Sequence, residues 1–293
     1  MLLLIRPKHF GFNAQTAGSN VFQQALADDA AIQEHALREF DALVELLQMH
    51  DIAHTVFEDT DLPVKPDAVF PNNWFSTHED GTLVLYPMLA QNRRAERRAD
   101  ILDALRKEGY ERVVDLSSYE NENRFLEGTG SIVPDRKLRY AYMCRSERSN
   151  EEVLVVFCEK LGYEKMVFTA STSAGAQIYH TNVLMSIGRD VCVLAAEMIR
   201  DEEERKNLLF HLEQYYQLVL LTEEQVMRFA GNMFYVENKH GEAYWLMSTT
   251  AFSSLSAEQR KILESDGVLL AAQVDTIEQC GGGSVRCMVA ELV

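Results

Sequence analysis

The chain has 293 residues, 47% hydrophobic and 25% charged, the make-up of a soluble enzyme with a full core. Its net charge of −17 excludes a nucleic-acid partner, because neutralising phosphates takes a lysine and arginine surface. No apolar run approaches a membrane span, and the five cysteines (Cys144, Cys158, Cys192, Cys280, Cys287) lack CxxC or metal-ligand spacing. A reducing cytoplasm without disulfides, metal or other cofactor is the expected setting.

Residues 2–6 are too short for a signal peptide and read as a first buried strand. A loop rich in Gly, Asn and Ser follows, to residue 20. Over residues 29–50, Ile32, Ala36, Phe40, Leu43 and Leu47 recur at helical spacing, and 52–57 is a strand. From there a pattern repeats. Strands at 68–78 and 82–86, joined by the Glu79-Asp80-Gly81 turn, precede a helix over 94–107 and a strand at 112–116. The next round has strands at 125–133 and 139–144, a helix at 151–161 and a strand at 165–170. A third has strands at 180–187 and 191–194, a helix over 196–212 and a strand at 217–221. Thr222-Glu223-Glu224-Gln225 then matches a capping box. A fourth has strands at 232–236 and 244–248, a helix opened by the capping box Ser256-Ala257-Glu258-Gln259, and a strand at 267–270. A last strand at 285–290 lacks its continuation, which residues 2–57 supply.

The count is five ββαβ units in a single domain, residues 1–293, one unit completed by joining the termini. A period near fifty residues predicts a closed α/β ring with pseudo-fivefold symmetry. The repeat puts His78, Glu127, His180, Asn232 and Cys287 in or beside the first strand of successive units, roughly fifty residues apart. Equivalent places in a ring face a shared axis, so a thiol, an imidazole, a carboxylate and an amide would meet there. Cys287 follows Gly281-Gly282-Gly283, a run that lets backbone approach a ligand closely. Cys, His and Glu together suit nucleophilic attack on a planar, resonance-stabilised carbon, with His180 moving protons and Glu127 orienting a substrate nitrogen. Each also has a plain structural reading: a core thiol, a structural histidine, a salt-bridged turn glutamate, a turn asparagine and a surface histidine. A zinc site on His78, His180 and Cys287 is a further alternative, but no local pair spacing supports it.

The segments Pro71-Asn72-Asn73-Trp74-Phe75-Ser76-Thr77-His78, Glu127-Gly128-Thr129-Gly130, His180-Thr181-Asn182, Gly231-Asn232 and Gly281-Gly282-Gly283-Ser284-Val285-Arg286-Cys287-Met288 together resemble the guanidine-modifying, or pentein, superfamily. The opening Arg6-Pro7, Phe10, Asn13, Thr16, Ser19-Asn20 and Phe22-Gln23 looks like its bacterial branch of amidinotransferase-type or citrulline utilization hydrolases. The resemblance spans essentially the whole chain. It implies a five-bladed α/β propeller, carries Cys287, His180 and Glu127 over as the catalytic trio, and puts Asn73, Phe75, His78, Asn182 and Asn232 on the substrate side. By family position Arg97 (or Arg98) and Arg145 are the clamps for an amino-acid carboxylate.

Relatives acting on arginine carry aspartates where His78 and Asn182 stand here. A buried guanidinium needs carboxylate partners, whereas a neutral ureido group needs donors and acceptors. The substrate expected is therefore citrulline, hydrolysed to ornithine, ammonia and CO2 through an S-carbamoyl adduct. Asp67, Glu79 or Asp80 would restore a guanidine substrate. The alternatives are an arginine deiminase or dimethylarginine dimethylaminohydrolase, then an amidinotransferase, then a non-catalytic pentein-fold binding ring. A homo-oligomer is left open.

Overall fold

The protein, described here from a computed structural model over residues 1–26 and 29–293, is built from fifteen short strands. The first two are β1 (Leu2–Arg6) and β2 (His54–Glu58), on either side of the helix Asp29–Met49. Next come β3 (Phe75–Thr77), β4 (Thr82–Leu85) and β5 (Arg112–Asp115), then β6 (Ile132–Asp135), β7 (Tyr140–Cys144) and β8 (Glu164–Phe168). They are followed by β9 (Met185–Ile187), β10 (Val191–Leu194) and β11 (Gln217–Leu220). The last are β12 (Phe234–Glu237), β13 (Ala243–Ser248), β14 (Val268–Ala272) and β15 (Ala290–Glu291).

These strands form five three-stranded sheets of one design: an antiparallel first pair, then a third strand parallel to the second after a helical crossover. The fifth sheet joins the two ends of the chain. β15 runs antiparallel to β1, pairing Leu3 with Ala290, and β1 runs parallel to β2. Among the described residues no strand pairs by its backbone with a strand of the next sheet, although the Thr77 hydroxyl of β3 donates to the Glu291 carbonyl of β15 at 2.8 Å.

The local signals act as their chemistry predicts. Ile32, Ala36, Phe40, Leu43 and Leu47 are all buried along the helix Asp29–Met49. Gly81 takes a positive φ of 75° at the turn into β4, and Thr222–Gln225 and Ser256–Gln259 form reciprocal capping boxes. No helix among the described residues is long and apolar enough to cross a membrane.

One difference recurs. The first strand of each unit begins later than its apolar pattern suggests. The preceding residues turn back on themselves: 3₁₀ turns at Pro71–Asn73 and Thr181–Val183, one α turn at Gly128–Ser131, and a turn in which the Cys287 amide donates to the Ser284 carbonyl at 2.9 Å. These turns satisfy their own backbone groups and so stay buried without a sheet partner. The Gly128–Ser131 turn packs against both Pro71–Asn73 and Thr181–Val183, gathering the pre-strand segments at one end of the first strands.

Candidate active site

Cys287 lies in the turn just before β15, 3% exposed. The glycines before it are required by close packing. A Cβ on Gly281 would come 2.8 Å from the Phe70 ring, and one on Gly282, where φ is 67°, 2.4 Å from the Asn20 amide. The Gly282 carbonyl accepts from the Tyr179 hydroxyl at 2.6 Å and from Asn20 Nδ2 at 3.1 Å. Asn232 Nδ2 and Asn182 Nδ2 approach Cys287 Sγ at 3.4 and 3.5 Å. Burial raises the thiol pKa, those amides oppose the rise, and the thiol is protonated at neutral pH.

His180 Nε2 stands 2.9 Å from Glu127 Oε2, both side chains being buried. Burial works against the Glu127 charge, but Arg148, at 3.6 Å, and His180 hold its pKa down to about 2. Burial drives His180 to about 4 despite that carboxylate, so the ring is neutral at pH 7. An ionised carboxylate only accepts, so Nε2 carries the proton and Nδ1 keeps the lone pair. A Cβ on Gly130 would fall 2.4 Å from Asn73 Nδ2 and 2.6 Å from His180 Nδ1; its absence lets the amide and the imidazole share one spot.

A second charged group closes the site. Arg93 donates from Nη1 to Asn73 Oδ1 at 2.9 Å and grips Glu96 with Nε and Nη2 at 2.8 and 2.9 Å. Its Nε is 3.6 Å from Asp67, whose Oδ2 takes a 2.7 Å bond from Asn13. Arg148 reaches Ser19 Oγ and the Thr16 carbonyl in the N-terminal segment. Thr16, Asn20, Asp67, Asn73, Arg93, Arg148, Tyr179, His180 and Cys287 line one cavity with free space of about 10 Å³, one water's worth.

The structure thus brings Cys287, His180, Glu127, Asn73, Asn182 and Asn232 together and leaves the other candidates elsewhere. His78 follows β3 instead of preceding it, so it lies at the other end of the first strands. It bonds Ser76 Oγ at 3.0 Å, packs against Phe157 and Tyr163, and is held neutral by burial with a pKa of about 3. The member of the first unit that lines the thiol's cavity is Asn73. The zinc trio His78, His180 and Cys287 does not assemble, because His78 is at the wrong end. Phe75 is a core residue whose ring lies tilted against that of Trp74. Arg97 is bound to Glu120 and the Tyr86 carbonyl, Arg98 to Asp100, and Arg145 to Glu151 and Glu204.

Arg93 and Arg148 escaped the sequence reading, and Asp67 entered it only as an alternative. Arg93 sits one turn before Glu96, a pair that reads as a surface i,i+3 bridge until Asp67 and Asn73 arrive from another segment.

A family model described as N,N dimethylarginine dimethylhydrolase, eukaryotic, matches residues 6–293. No curated protein sequence matches the chain. Among solved structures it is similar to the product-bound N-terminal domain of ArgZ, an arginine dihydrolase of the ornithine–ammonia cycle in cyanobacteria. The TM-score is 0.79 at 15% identity, over 100% of this chain and 97% of that one. A mutant of AgrE in complex with L-arginine matches at TM-score 0.75 and 15% identity, over 100% of this chain and 40% of that one. A dimethylarginine dimethylaminohydrolase adduct matches at TM-score 0.69 and 17% identity, over 99% and 98%. At these identities the structural likenesses show the fold. The family model spans nearly the whole chain, which therefore belongs to the N,N-dimethylarginine dimethylhydrolase family of guanidine-modifying (pentein) enzymes and is a hydrolase of guanidino-type C–N bonds.

Proposed function

We propose that this enzyme hydrolyses the ureido C–N bond of citrulline, with Cys287 as nucleophile, His180 as proton carrier and Glu127 as the group that orients it. The observation that carries the choice of substrate is the setting of Asn73. Arg93 donates to Asn73 Oδ1, so the amide is oriented with Nδ2 turned away, and that buried donor has no partner among the described residues. A ureido oxygen can accept from it, whereas a guanidinium offers only donors. Asn182 Oδ1 is likewise buried and unpaired beside the thiol, an acceptor for a ureido N–H. Leaving such groups unmet costs about 1–3 kcal/mol each, so a substrate that meets both gains accordingly.

In the first half-reaction the Cys287 proton passes to His180 and sulfur adds to the ureido carbon. The C–N bond to the side-chain nitrogen then breaks, that nitrogen taking the proton, and ornithine leaves an S-carbamoyl group behind. Water, deprotonated by His180, attacks this adduct; the thiol is regenerated and the carbamate falls to ammonia and CO2. Asn182 and Asn232 are donors to the sulfur as its charge develops. In this reading Arg148 and Arg93 take the carboxylate role once given to Arg97 and Arg145, and Asp67 receives the α-ammonium. Entry requires residues 13–20 to lift, breaking the Arg148 bonds to Ser19 and Thr16. The five sheets are taken as blades of a propeller around this site, closed by the fifth, and five buried cysteines, none of them in a disulfide among the described residues, suit a reducing cytoplasm.

A second reading, hydrolysis of arginine or a methylated arginine, has its own support. Asp67 Oδ1 is buried without a hydrogen-bond partner among the described residues, a place for a cationic group. The two part in a panel assay of citrulline, arginine, methylated arginines and agmatine, with Cys287→Ala as blank and intact-mass detection of the adduct. Ornithine from citrulline with a carbamoyl adduct is expected. Turnover of arginine derivatives alone, with citrulline as product, would transfer the function to the second reading.

A further inference from the structure

At the far end of the first strands lies a larger cavity of about 450 Å³, and one of its lining residues is Arg286, next in sequence to Cys287. Arg286 is 8% exposed. Its guanidinium donates from Nη1 to the Val289 carbonyl at 3.0 Å and sits 4.7 Å over the Phe234 ring. No carboxylate pairs with it among the described residues. Every other charge facing the cavity is engaged. Arg136 holds Glu291 Oε2 with Nε and Nη2 at 3.2 and 2.9 Å, and Arg189 holds Glu237 at 2.8 Å. Asp135 accepts from the Tyr216 hydroxyl at 2.6 Å, and Lys137 leans toward Asp190 at 3.7 Å. A protein of net charge −17 thus keeps, among the described residues, a buried cation with no ion pair of its own, feeling only at longer range the Glu291 carboxylate that Arg136 already holds, and aimed into an open space. Such a charge is costly unless something pairs with it. A guanidinium prefers a planar, bidentate partner, and Met185, Ile187, Met233 and Phe234 give the cavity apolar walls.

We propose that this cavity binds a small organic carboxylate on Arg286, and that its occupancy damps the reactivity of Cys287. The connection is short. The Arg286 amide donates to Asn232 Oδ1 at 3.1 Å, and Asn232 Nδ2 touches the sulfur. Asn182 lines this cavity and also donates to the sulfur, so it is the wall between the two spaces. The Arg286 charge also favours the thiolate of its neighbour, and a carboxylate bound to it cancels that charge and withdraws its help.

The test is calorimetric titration of the full chain with malonate and with sulfate at constant ionic strength, alongside the rate of Cys287 alkylation by iodoacetamide. It needs no substrate, so it stands or falls apart from the citrulline reading. Malonate is expected to bind saturably and more tightly than sulfate, and to slow alkylation about three- to tenfold. Arg286→Gln should weaken binding at least about tenfold, the loss of one charge-assisted pair. Glu291→Gln should tighten it, because Arg136 is released toward the same space. Arg148→Gln, at the thiol end, should leave it unchanged. If Arg286→Gln does not fold, Arg286→Lys keeps the charge, loses the fork and should bind several-fold more weakly. The proposal is overturned by absence of saturable malonate binding, by equal malonate and sulfate affinity, by a Glu291→Gln variant that binds no better than wild type, or by loss of binding in Arg148→Gln.

Discussion

The two ends of the first strands are opposites. Where those strands begin, polar groups from four of the five units close on a space of about 10 Å³, and Arg93 and Arg148 are each tied to a carboxylate. Where they finish, about 450 Å³ is open, and rim charges such as Lys137 and Arg189 are more than half exposed. The contrast is between dry and wet electrostatics. In a water-poor site each dipole and charge acts at low effective dielectric, which is where a thiol can be steered by amides and an imidazole by one carboxylate. At the wet end the exposed rim charges are screened, whereas the buried Arg286 retains a strong field.

Removing the dry end's own groups should give the largest effects. Cys287→Ala is expected to lower kcat by at least about 10⁴-fold, with stability within about 1 kcal/mol of wild type. Steady-state rates with urea unfolding check it; substantial residual turnover would move the nucleophile elsewhere. Glu127→Gln replaces an ionised acceptor by a neutral amide, frees the His180 tautomer and should cost about 10²–10⁴-fold in kcat. Asn73→Asp puts a carboxylate where a lone donor stands. It should shift the ratio of citrulline to arginine kcat/KM toward arginine by about 10–100-fold; an unchanged ratio removes Asn73 from the choice of substrate.

Acid should probe both ends at once. Burial lowers His180 to about 4 and His78 to about 3, against 6.5 for a free histidine. Below pH 6.5 the unfolded chain takes up protons that the folded one refuses, so the stability tied to neutral rings is complete above that pH. It is lost progressively as pH falls toward 4 and 3. Tm measured from pH 7.5 to 4.5 should fall, and less steeply in His78→Asn; identical slopes would mean His78 is not buried neutral. The smallest effect is expected outside both cavities. Arg145→Ala breaks a partly exposed network with Glu151 and Glu204, worth under about 1 kcal/mol, and should leave KM unchanged. A tenfold rise in KM would return Arg145 to the substrate's carboxylate.

The repeat and the convergence of Glu127, His180 and Cys287 were legible for a simple reason: each unit carries its own apolar periodicity, and these three residues occupy the same place in three of them. The member of the first unit was misread. His78 and Asn73 both lie in one polar-and-apolar run around β3, and nothing local says on which side of a three-residue strand the functional group stands. Pro71 and the 3₁₀ turn it opens put Asn73 before the strand, and with it the side of the sheet that meets the thiol.

Sequence alone determined the ββαβ units, their number and the joining of the termini, because hydrophobic spacing and turn chemistry act over a few residues. The tertiary structure decided which charges are buried and what each amide presents. Arg93 turns Asn73, Asp67 and Glu96 make Arg93 tolerable, and Arg286 is left without an ion pair of its own among the described residues. Those outcomes depend on groups distant in the chain, and their energies are set by how much water the assembled fold excludes.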